Sequence, residues 1–114
     1  MPTFIDRHPF AAVPRAVRRQ MYLEAMRGVV DEHGAEPRGY WLTDGAIYCV
    51  LRAPREEAFC RHHADRGLPC DDVHPIAGAD MDIVRAAIAE LWPGDQRVRV
   101  GSRSAAASTS MRGR

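Results

Sequence analysis

Gly39-Tyr40-Trp41-Leu42-Thr43-Asp44-Gly45-Ala46-Ile47-Tyr48-Cys49-Val50-Leu51 is the stretch that decides the fold. Tyr40, Trp41 and Leu42 are strand formers. Asp44-Gly45 is a strong hairpin signal and predicts a type I′ turn. The return run, Ala46 to Leu51, is apolar almost throughout and lacks the alternation of a half-exposed strand. Such a run suits a central strand covered on both faces.

Working outward, Thr3 to Asp6 begins a first strand around Phe4 and Ile5, ending in the polar run Asp6, Arg7, His8 before Pro9. Pro14 suits the first position of a helix. From Val17, the residues Met21, Ala25 and Val29 recur at helical spacing, widened by Tyr22 and Met26, and Gly34 is the expected stop. After the hairpin, Ala53-Pro54 opens a second helix, Arg55 to Arg66, ended by Gly67. Residues 72–76 form a last strand, confined by Pro75 to an edge.

The order strand, helix, strand, strand, helix, strand predicts an α+β class protein, a ferredoxin-like βαββαβ sandwich. Right-handed crossovers place strands one and three at the centre and both helices on one face. The other face is left bare, which predicts a homodimer through the sheet. An extra C-terminal helix follows. Asp80 can cap it, and Val84, Ala87, Ile88 and Leu91 form its stripe before Trp92 and Pro93-Gly94. That helix is expected to cover the open face or reach a dimer mate. The expected organisation is a metal-binding domain over 1–78, an appended helix over 79–94 and a disordered basic tail over 95–114, with Arg97 to Val100 as a stray strand.

The 114 residues suit one domain. With 46% hydrophobic and 27% charged residues the composition is that of a globular protein. A formal net charge of +1 gives no field to draw nucleic acid or membrane. No apolar run is long enough to span a bilayer, and the opening MPTFIDRH lacks a signal-like apolar region. Three cysteines, an odd and low number, predict free thiols and a cytoplasmic location.

Five histidines and three cysteines supply the chemistry. Imidazole and thiolate are ligands for zinc, nickel and copper, although no closed zinc spacing is present. His63 shares a helix face with Phe59 and is expected to meet the sheet, where Cys49 lies. The bland alternative is a buried histidine bonded to a backbone carbonyl. His62 is expected to be solvated. His8 ends the first strand and can join a site there. Tyr40 and Trp41 read first as sheet-packing aromatics and His33 as a helix-end residue. No nucleotide-binding or nucleophile-elbow motif occurs.

The segments MPTFIDRHPF, RGYWLTDGAIYCVLRAP and HADRGLPCDDVHPI together resemble a family of small bacterial nickel-binding proteins, over residues 1 to 77. The resemblance implies a ferredoxin-like sandwich that dimerises through its sheet. It also implies metal ligands at His8, Cys49 and His63, with Tyr40 and Cys60 as additional candidates. The chain departs from the pattern at Asp65 and Arg66, where the family often carries another histidine.

The expected function is therefore nickel-type metal binding for storage, buffering or sensing, with copper or zinc as alternative ions. The partners expected are the metal and a second copy of the chain, without membrane or specific nucleic acid. The competing reading is a dimeric ferredoxin-like enzyme, of monooxygenase or isomerase type, using His63 or His8 as its acid–base group. No nucleophile–base pairing favours it.

Overall fold

The computed structural model describes residues 1–95 and the backbone of Arg99 and Val100. Its elements are β1 (Thr3–Pro9), a 3-10 turn (Phe10–Ala12), α1 (Arg15–Arg27), β2 (Glu36–Leu42), β3 (Ala46–Arg52), α2 (Glu56–Ala64), β4 (Val73–Ile76), α3 (Met81–Leu91) and β5 (Arg99–Val100). The strands form one antiparallel sheet in the order β4-β1-β3-β2-β5. This is the ferredoxin-like α+β arrangement, extended by α3 and by a two-residue edge strand. The expected tail otherwise lies outside the described residues.

The apolar run of β3 is buried on both sides because its two faces serve two cores. Ile47, Cys49 and Leu51 pack with Phe4, Met21, Ala58 and Phe59 beneath α1 and α2. Ala46, Tyr48 and Val50 pack with Ile5, Trp41, Val84 and Ile88 beneath α3. The face expected to be bare is thus covered by the chain's own helix. Trp92 fastens that helix by donating its indole N–H to Asp72 at 2.7 Å. Arg7, which points to the α3 side, holds Asp95 through Nε at 2.8 Å and Nη2 at 3.1 Å. Asp95 also accepts from the Tyr48 hydroxyl. The Asp95 side chain, expected to begin a loose tail, is therefore anchored.

Several boundaries differ from the sequence reading. β1 runs through the polar triplet expected to end it and takes in Pro9. It pairs with β3 from Thr3↔Arg52 to Pro9↔Ala46, which keeps Asp6, Arg7 and His8 inside the ladder. α1 ends at Gly28, not Gly34. Gly28 takes φ +65°, and its N–H caps the Ala25 and Glu24 carbonyls, a left-handed stop that glycine makes without strain. Gly34 sits in a separate turn, where the Asp31 carboxylate accepts from the His33 and Ala35 N–H groups. Val29, beyond that stop, is exposed, as is Met26 within the helix. The hairpin turn is not type I′, since Gly45 is not among the glycines of positive φ. Its carbonyl instead accepts from the Phe10 N–H at 2.9 Å, so a tertiary bond fixes the turn.

The expectation of three free thiols is also corrected. Cys60 on α2 is disulfide-bonded to Cys70 in the loop before β4, and Cys49 is the free cysteine. The ten-residue spacing matches no recurring motif, so only the fold, which returns the loop beneath α2, brings the two sulfurs together. No helix among the described residues is long and apolar enough to cross a membrane.

Candidate metal centre

The register that extends β1 also builds the site. Side chains alternate across a strand, so Phe4, Asp6 and His8 all face the helical layer. Asp6 lies directly opposite Cys49 on β3. From above, α2 lowers Phe59 and His63 onto the same spot, one turn apart on one helix face. The ligand atoms of Asp6, His8, Cys49 and His63 all lie within 4.8 Å of one another. None of the four residues is more than 3% exposed.

Within the cluster, Asp6 Oδ2 is 2.7 Å from His8 Nε2 and 3.3 Å from His63 Nε2. Despite these distances, neither carboxylate oxygen nor either Nε2 has a partner in hydrogen-bonding geometry. The donor atoms crowd together in ion-pair contacts that lack hydrogen-bonding geometry. A buried carboxylate faced by two imidazoles carries a large desolvation cost, and a cation among the four atoms would offset it. The charges suit a divalent ion: a carboxylate and a thiolate supply two negative charges, and two neutral imidazoles supply none. The mixture of nitrogen, sulfur and oxygen fits nickel, copper or zinc.

His63 is prepared for such a role. Its Nδ1–H donates to the Phe59 carbonyl at 3.1 Å, which fixes the tautomer and leaves the Nε2 lone pair toward Asp6. Its ring stacks on Phe59 at 4.5 Å and on His8 at 5.3 Å. Burial, reinforced by the Asp6 charge, pushes the Cys49 thiol well above its usual range. A bound metal would displace its proton, which solvent alone would not remove at neutral pH. Burial also pushes the Asp6 carboxyl up, but His63 and His8 outweigh it and hold Asp6 below the usual range.

The other candidates fall elsewhere. Tyr40 is opposite Cys49 on β2, but its hydroxyl donates to the Arg18 carbonyl at 3.2 Å, away from the cluster. Burial, then Cys49, push it up to about 12. Cys60 is consumed by the disulfide. His62 is not solvated: it is 2% exposed, packed near Glu24 and Arg66. Burial first, then the Arg66 and His63 charges, lower it to about 4. Asp31, His33 and Asp65 form a second, more exposed group, with His33 Nε2 2.9 Å from Asp65. Asp6 is the member of the cluster that the sequence reading did not name. Its signal was the two-residue spacing to His8, which puts both on one face once the strand continues.

Fold and donor set together define a ferredoxin-like α+β protein with a buried cluster of metal-ligating residue types between sheet and helices. The family comparison agrees with that class. The chain belongs to the nickel responsive protein SCO4226-like family, whose model matches residues 4–76. The match spans β1 to β4 and includes every member of the cluster, while α3 lies beyond it. Searches of curated proteins and of solved structures returned no significant match.

Proposed function

We propose that this protein binds one divalent transition ion, nickel by family, at Asp6, His8, Cys49 and His63, and serves nickel storage, buffering or sensing. The supporting observation is the set of four buried, mutually adjacent ligand atoms, of which the Asp6 carboxylate oxygens and the Nε2 atoms of His8 and His63 lack hydrogen-bonding geometry. Copper would bind such a mixed site more tightly by intrinsic affinity, so availability sets the occupant. The enzyme reading gains no support. The cavity beside the cluster holds about 10 Å³, on the order of one water molecule. The disulfide favours an oxidising compartment over the expected cytoplasm. The expected homodimer interface coincides with the face that α3 covers.

Elemental analysis and metal titration of the full chain test the reading. The expected result is one ion per chain, with His63→Ala, Cys49→Ser, His8→Ala and Asp6→Asn each weakening binding at least tenfold, about 1.4 kcal/mol. His62→Ala should retain the affinity. If folded His63→Ala, checked by circular dichroism, binds as tightly as the wild type, His63 is a structural residue and the proposed site is wrong.

A further inference from the structure

We propose that the cleft between α1, β2 and α2 is the entry route for the ion, with His62 as a transient ligand on the way to Cys49. This inference rests on the metal-binding reading above.

The donor atoms are sealed from solvent, and an ion can reach them only along a path through the packing. The cavity lined by Met21, Glu24, Tyr40, Leu51, Cys49 and His62 provides one. Cys49 belongs both to this cavity and to the donor cluster, so the two share a wall. The cavity accommodates on the order of one water-sized particle. An ion with its full hydration shell does not fit, so it must shed waters, and a protein ligand must replace them for the passage to be fast. His62 is placed to do so. It lines the cavity, is 98% buried by its 2% exposure, and neither Nδ1 nor Nε2 has a hydrogen-bond partner.

A buried imidazole with both nitrogens unbonded is costly to keep for packing alone. The nearest oxygen, Glu24 Oε1, is 4.0 Å from Nε2, too far for a hydrogen bond. Groups of both signs surround His62: Arg66 and His63 act first, Asp31 and Glu24 after them and in the opposite sense. The opposing cation, Arg66, is engaged by Glu24 at 2.8 and 3.0 Å and by the His62 carbonyl at 2.7 Å, and it does not line the cavity. His63, the other neighbour, presents its Nε2 to the donor cluster.

Stopped-flow absorbance of the thiolate-to-nickel charge-transfer band, recorded on the full chain mixed with a nickel salt, reads the route. His62→Phe keeps the ring bulk and removes both nitrogens. Ala25→Leu narrows the same cavity from α1. In both variants uptake should slow at least tenfold. Release into excess chelator should slow by the same factor, leaving equilibrium affinity within twofold, because a route alters both directions equally. Wild-type rates in the folded variants overturn the route, as does a slower uptake matched by an equal loss of affinity. Should His62→Phe fail to fold, unchanged kinetics in Ala25→Leu are sufficient to overturn it. A wild-type chain with no charge-transfer band overturns the metal-binding reading and the route with it. A normal band with unchanged variants removes the route alone.

Discussion

Breaking the Cys60–Cys70 bond should cost this small fold a large share of its stability. The bond joins residues separated by ten positions. Loop-closure entropy for about ten residues gives a stabilisation of ~2.7 kcal/mol through the unfolded chain. In a domain of this size each kcal/mol moves the melting temperature by roughly 4–8 °C, so the loss should be on the order of 10–20 °C. The comparison is between oxidised wild type, wild type with reductant, and Cys60→Ser/Cys70→Ser, followed by circular dichroism on heating. Thiol counting in denaturant provides the control: with one bridge among three cysteines, only Cys49 should react before reduction. Three reactive thiols in a protein kept oxidised, or a shift below about 2 °C on reduction, would refute the pairing or its weight. The same experiment bears on the site, since Cys60 precedes His63 by less than a helical turn. Residual support for the end of α2 comes from Arg66 on Glu24 and His33 on Asp65.

Asp95→Asn should destabilise the fold by about 1–2 kcal/mol, because it weakens a charge-assisted pair with Arg7. Asp95 is held below the usual carboxylate range, by Arg7 foremost. Its contribution is present above the unfolded pKa and lost as pH falls through the lower folded value, so acid titration of stability in Asp95→Asn should be flatter at the acidic end. His62 acts with the same sign at higher pH. Folding keeps it neutral down to about 4 while the unfolded chain takes up a proton near 6.5, so stability should fall between those values by up to ~1.4 kcal/mol per unit, and denaturant melts of His62→Phe should lack that slope. Truncation after residue 78 should uncover Ile5, Trp41, Tyr48 and Val50 and convert the chain to a dimer or an insoluble form, while the full chain sediments as a monomer at micromolar concentration. A soluble monomeric truncation would show that α3 is dispensable cover.

The hairpin and the uninterrupted apolar run of β3 were legible because a doubly covered strand leaves no polar alternation to mislead. His63 was legible too, since its spacing from Phe59 put it on the packed face of α2. Asp6 was not, because a polar triplet reads as the end of a strand unless the pairing that continues it is known. His62 escaped for a related reason. Nothing local says that Glu24 and Arg66, from α1 and from the turn after α2, will close over it. The choice between Gly28 and Gly34 as the helix stop depends on where the chain must turn to reach β2, a tertiary matter. The disulfide had no spacing signature at all.

The position of α3 has a consequence for association. Four residues, 77–80, connect it to β4, so the helix meets the sheet face at an effective concentration on the order of millimolar. A second copy of the chain at about one micromolar is roughly a thousandfold more dilute, a handicap of about 4 kcal/mol before any contact is compared. Self-association through this face is therefore a competition that the tethered helix wins at ordinary concentrations. The outcome can be reversed by weakening α3 itself, so substitutions at Val84 or Ile88, far from the donor cluster, should control whether the protein is found alone or in pairs.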